Sequence, residues 1–168
     1  MKKIFAGISI LALIAVAFPL GAATEGSVTA TVTVENISLT VADGTVTYGT
    51  LGVDTLKDTT SSGLNDSQTA TNNGNVNEDF NIKGSDSANW VLAATAGADE
   101  YFHKFCRGDT GTCDSTPVFT ALTTAYQTLD TAVAANGTQI FDLQINTPTS
   151  SSNFTEQSVN ITVQAVAS

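Results

Sequence analysis

Apolar and polar residues alternate along several short segments of this 168-residue chain. In residues 27–34, valine or alanine occupies every second position, and serine or threonine lies between them. Residues 37–41, 139–145 and 159–165 largely repeat this alternation. A period of two is typical of a β-strand with one buried face. The pattern therefore predicts short strands from residue 27 to the end of the sequence.

Turn-forming residues separate these segments. Asp43-Gly44 and Asn136-Gly137 are typical hairpin turns, and residues 72–75 form a further turn cluster. Residues 45–51 are predicted as a strand after the first turn, whereas residues 52–67 are predicted as a long, mobile polar loop. Eight to ten strands without alternating helices favour an all-β β-sandwich over an α/β fold.

The larger apolar side chains of the predicted strands are expected to fill the space between two sheets. These core residues are Phe80, Trp90, Phe141, Leu143, Ile161 and Val163. For Trp90 a second interpretation stays open, in which an exposed indole ring stacks on carbohydrate.

Two regions depart from the strand pattern. Residues 96–117 resemble an insertion, because three aromatic residues there precede a short loop between two cysteines. Leu122, Tyr126, Leu129 and Val133 follow helical spacing. One or two helical turns are conceivable there, although the intervening threonines disfavour a stable helix.

The first 23 residues have the pattern of a secretory signal peptide. Lys2 and Lys3 precede an apolar run over residues 4–20, and small residues then predict cleavage between Ala23 and Thr24. We expect residues 24–168 to form one exported domain, extracellular or at the cell surface. Retention of the apolar segment is the alternative, and it is the one route to the membrane that the sequence suggests.

The composition disfavours several partners. After removal of residues 1–23, the chain contains four lysine or arginine residues and 16 acidic residues. Such a surface repels nucleic acids and anionic lipids. Serine, threonine and asparagine dominate, which suits exposed strand faces and polar turns.

Cys106 and Cys113 are the two cysteines of the chain. In an exported protein a closely spaced pair predicts a disulfide. A zinc site would need further ligands, and the sequence has a single histidine, His103.

The stretch from Thr69 to Ile82, which contains an Asn-Asn-Gly-Asn turn, is followed by Trp90. Residues 129–166 then place an apolar strand, the Asn136-Gly137 turn and Pro148 before a closing strand. Together these features resemble bacterial and archaeal extracellular immunoglobulin-like modules. The resemblance implies a surface, adhesive or filament-associated scaffold and does not specify a ligand.

Candidate chemistry is sparse. Arg107, Gly108 and Asp109 form an RGD triplet inside the cysteine loop and are the candidate binding loop. His103 lacks a partner serine in a Gly-x-Ser-x-Gly motif, so no catalytic site is predicted and the protein is not expected to be an enzyme.

No cofactor is predicted, and calcium is the one metal that the sequence leaves open. Two acidic or amide-rich groups could supply oxygen ligands, although neither matches a calcium-binding loop. They are Asp99, Glu100, Asp109 and Asp114, and Asn75, Asn77 and Asp79.

The leading functional hypothesis is a non-enzymatic structural or adhesive protein of the cell surface, and one form of it is a subunit of a surface assembly. Residues 27–34 are expected to form the first strand of their own sandwich, and the alternative is addition to the sheet edge of another copy. A module that binds glycans or other surface ligands through residues 96–117 is the second hypothesis, and a small secreted hydrolase is a remote third.

Overall fold

The computed structural model describes residues 24–108, 113 and 118–168. The predicted signal segment, up to and including Ala23, lies outside these residues. The described part is all-β. Its strands are β1 (Leu39–Ala42), β2 (Leu56–Asp58), β3 (Gln68–Asn72), β4 (Glu78–Lys83), β5 (Val91–Leu92), β6 (Glu100–Arg107), β7 (Thr120–Ala121), β8 (Gln127–Val133), β9 (Thr138–Asn146) and β10 (Thr162–Ala167).

The strands form two sheets. The larger sheet has seven strands and runs β1-β3-β9-β6-β5, with β2 also paired to β9 and β7 to β6. The smaller sheet has three strands in the order β10-β4-β8. All pairs are antiparallel except β5 with β6. Two sheets with a shared core form a sandwich, as the alternation predicts.

The core lies between the two sheets. Phe80 on β4 and Phe141 and Leu143 on β9 belong to its buried cluster, and Ile161 and Val163 pack against that cluster while partly exposed. The assignment of Trp90 to the core was wrong. Its side chain is half-buried outside the cluster, and its indole N–H donates a 2.9 Å hydrogen bond to Ser151 Oγ.

Within the predicted insertion at residues 96–117, the described residues 96–108 are not peripheral to the sandwich. They contain β6, which pairs with β9 over six residues and turns Tyr101, His103 and Phe105 inward. The helical spacing after Leu122 was also misleading, because residues 127–133 form β8. The threonines of that segment suit a strand better than a helix.

Residues 52–67 are more ordered than a polar loop. They include β2, and the next two threonines, Thr59 and Thr60, are buried. The Thr59 hydroxyl donates a hydrogen bond to Asp142 Oδ1 and accepts one from the Leu143 amide, each 2.9 Å long. The backbone pairing of β2 with β9 and these side-chain hydrogen bonds, rather than apolar residues, hold this segment against β9.

Residues 27–34 do not form the expected first strand. The chain divides into Met1–Thr33 and Val34–Ser168. In the first of these units, residues 24–33 belong to no strand, and each of them is exposed. Val28 and Val32 are 95% and 90% exposed. An alternating apolar segment with both faces in water is unusual, since its valines contribute nothing to a core.

The predicted disulfide is present. Cys106 and Cys113 are bonded, with their Cα atoms 6.0 Å apart, and both are buried. A buried disulfide is compatible with an extracellular location. Among the described residues, no helix is long and apolar enough to span a membrane.

Reducing this disulfide is expected to lower the free energy of unfolding by roughly 2.5 kcal/mol, because the bond restricts the unfolded chain. Urea denaturation with and without reductant measures the change. The double variant Cys106→Ser/Cys113→Ser is the control and should be insensitive to reductant. An unchanged wild-type midpoint would contradict the expectation.

Candidate functional site

A groove of about 870 Å³, which we call the open groove, lies beside β10. Alternate residues of β9 (Phe141, Leu143 and Ile145) line it, together with Val163 of β10. Alternate residues of one strand share a face. Because the same face of β9 supplies core residues, the groove continues the space between the two sheets.

Two segments that belong to no strand of the structure form the walls of the open groove. Residues 44–53 leave β1 along one wall, and residues 153–161 lead into β10 along the other. Among the described residues, the backbone groups of 46–51 and 156–159 form no hydrogen bond to other backbone groups. Unpaired backbone beside an apolar floor is what a missing strand leaves.

Glycines explain why the predicted strand at residues 45–51 does not form. Gly44 and Gly49 have φ values of 85° and 75°. These values lie in the left-handed region, which interrupts a regular strand. The Gly44 amide donates a 2.8 Å hydrogen bond to the Gln68 side chain instead of closing a hairpin.

Aromatic side chains line one part of the open groove. Tyr48 Oη lies 2.8 Å from His103 Nε2, and the Tyr101 ring packs edge-on against His103. Trp90 tilts over Tyr101 with ring centroids 6.2 Å apart. Burial is the main cause that raises the pKa of both tyrosines. Both phenols therefore stay neutral and act as hydrogen-bonding groups.

His103 is buried on β6, with 2% of its surface exposed. Its Nδ1 atom has no hydrogen-bond partner among the described residues. Burial lowers the pKa of His103 from 6.5 to about 4. The imidazole is therefore neutral at pH 7 and is not placed as an exposed general base.

This depressed pKa predicts acid sensitivity. Between pH 6.5 and about 4 the unfolded chain binds a proton at His103 that the folded chain does not. The free energy of unfolding should therefore fall as the pH falls, by up to about 1.4 kcal/mol per pH unit. Urea titrations at pH 7.0, 5.5 and 4.5 measure it. His103→Gln should lose most of this slope, and an identical slope in the variant would refute the assignment.

The point where residues 24–33 join the sandwich is tightly held. The Asn75 side chain accepts a 2.8 Å hydrogen bond from the Asn36 amide and donates one of 2.8 Å to the Val34 carbonyl. Glu78, which is fully buried, accepts a 2.8 Å hydrogen bond from the Ser38 amide. These contacts, which we call the exit clamp, fix the backbone of residues 34–38.

The candidate binding loop is only partly described. Arg107 is the last residue of β6, where it pairs with Phe141, and its guanidinium lies 2.7 Å from Asp130 Oδ1. The Gly108 amide donates a 3.3 Å hydrogen bond to the Ile140 carbonyl. Asp109 lies outside the described residues. Arg107 thus belongs to β6, and Gly108 is hydrogen-bonded to β9.

Two of the described candidates for calcium ligands, Asp99 and Asp79, accept hydrogen bonds within the protein. Asp99 Oδ1 accepts a hydrogen bond from the Ser152 amide, and Asp79 Oδ1 accepts one from the Ala132 amide. These bonds are the largest cause that lowers the pKa of each carboxyl. Asp109 and Asp114 lie outside the described residues. Within the described part, no three His, Cys, Asp or Glu residues cluster as metal ligands.

No protein-family model, curated protein or solved structure matches this chain. The open groove and the exit clamp are therefore interpreted from their own geometry. Neither was predicted from the sequence. The one available signal was the alternation of residues 27–34, which marks an apolar strand without indicating whether it is buried.

Proposed function

We propose that this protein is an exported, non-enzymatic structural protein that assembles with copies of itself at the cell surface. The observation that carries the proposal is the open groove, a gap in the sandwich with an apolar floor, along whose walls residues 46–51 and 156–159 have no backbone partner in the described part of the chain. Val53 and Phe154 at this groove are 53% and 86% exposed. A monomeric protein rarely leaves such a surface in water unless it binds something there.

Several properties support a structural role over catalysis. The two cysteines are joined in a disulfide, and His103, the single histidine, is buried with a depressed pKa. The large negative charge disfavours nucleic acids as partners. Export, removal of residues 1–23 and an immunoglobulin-like topology are parts of this proposal, supported by the sequence pattern, the disulfide and the two-sheet architecture.

Sedimentation velocity and negative-stain microscopy of the protein recovered after export test this function. We expect concentration-dependent oligomers or fibres. A protein that remains monomeric at millimolar concentration would overturn the proposal.

Glycan binding is the second candidate, and the position of Trp90 favours it. The indole is half-buried at the open groove, near the polar side chains of Asn153 and Gln157. Aromatic rings of this kind stack on sugars. A glycan array probed with wild type and Trp90→Ala tests this candidate, and binding that is absent or unchanged in the variant would reject it.

A further inference from the structure

We propose that the open groove is filled by residues 27–34 of a second copy of this chain, which enter as an added β-strand. This inference deepens the proposed function, because it names the segment through which copies associate. It accounts for two features of the structure at once. Residues 27–34 alternate like a strand but pair with no sheet, and the sandwich contains the open groove.

The length of residues 27–34 is similar to the length of the groove walls. Eight residues in an extended strand span about 26 Å. The walls of the open groove, residues 44–53 and 153–161, are ten and nine residues long. A strand lying between them would supply backbone partners to residues 46–51 and 156–159, which have no backbone partner among the described residues.

The side chains of residues 27–34 also suit the groove. Residues 27–34 carry no charge, and their alternation directs Val28, Ala30, Val32 and Val34 to one face. That face would contact the apolar floor formed by alternate residues of β9. The threonines would then face solvent, as on the outer face of an antiparallel sheet.

The exit clamp favours a second copy over the same molecule as the source of this strand. To lie beside its own β1, the chain would have to reverse direction between Val34 and Leu39. Such a reversal would break the hydrogen bonds that Asn75 makes to residues 34 and 36 and that Glu78 makes to Ser38. Because these bonds fix residues 34–38, a neighbouring copy is the better source of the added strand.

Val32→Asp tests the inference, with Thr31→Asp as the matched control. Both residues are exposed, so neither change should unfold the sandwich. Val32→Asp would bury a carboxylate against the groove floor and should raise the protein concentration needed for assembly by at least about 100-fold. Thr31→Asp adds the same charge on the opposite face of the strand and should have little effect.

A synthetic peptide of residues 25–35 provides an independent test. Added to wild-type protein, it should occupy the open groove and limit assembly, whereas the same peptide with Val32→Asp should not. Assembly that is equally unaffected by both variants and both peptides would overturn this inference while leaving self-assembly in place. A wild-type protein that never assembles would overturn both.

Discussion

Phe80→Ala is expected to lower the free energy of unfolding by about 4 kcal/mol, because it removes a large ring from a packed core and leaves a cavity. Phe80 is fully buried on β4, the central strand of the smaller sheet. Its ring belongs to the cluster that joins this sheet to β9. Loss of the ring weakens the contact between the two layers, which is the main support of the fold.

Phe154→Ala is the matched control, since the same side chain is 86% exposed at the open groove. We expect it to change the free energy of unfolding by less than about 0.5 kcal/mol. Urea denaturation followed by circular dichroism measures both variants. Equal losses of stability would show that the core is wrongly placed.

Asp142→Ala is also expected to lower the free energy of unfolding by about 4 kcal/mol, because it leaves several hydrogen-bond donors in the interior without an acceptor. Asp142 is fully buried. Its Oδ1 accepts hydrogen bonds from Thr59 Oγ1 at 2.9 Å and Ser67 Oγ at 2.7 Å, and its Oδ2 accepts one from the Cys113 amide at 3.0 Å. One carboxyl thus ties β9 to the segment after β2 and to the disulfide.

Asp43→Ala is the control for this variant. The Asp43 carboxyl is exposed and accepts a 2.8 Å hydrogen bond from Thr45 Oγ1. Its removal should cost less than about 1 kcal/mol. Thermal unfolding of both variants compares them, and a small loss for Asp142→Ala would mean that this buried network does not stabilise the fold.

Much of the architecture follows from period-two alternation. It located β9 and β10, and the Asn-rich turn between β3 and β4 is present. The alternation does not predict polar side chains that point into the core. Asn72 is buried on β3, where its side chain donates 2.8 Å hydrogen bonds to the carbonyls of Val76 and Val133. Such a position depends on partners that lie far apart in sequence.

The errors share a physical cause, which is that a local pattern does not identify the partner of a strand. Residues 27–34 have the sequence pattern of a strand but pair with no sheet. Residues 45–51 also have a strand-like sequence, but glycines in the left-handed region of φ prevent a regular strand. Residues 96–117 appeared as an insertion because a disulfide follows the aromatic residues. The burial of β6 within this range depends on β9, about 40 residues further along the chain.

The proposed role rests on an incomplete sandwich that a neighbour completes. Hydrogen exchange with mass spectrometry, on exported protein below and above the concentration at which it assembles, tests this most directly. We predict that the amides of residues 27–34 and 46–51 exchange rapidly in the monomer and become protected together on assembly. Protection of these amides already in the monomer, or rapid exchange in the assembled protein, would contradict the account.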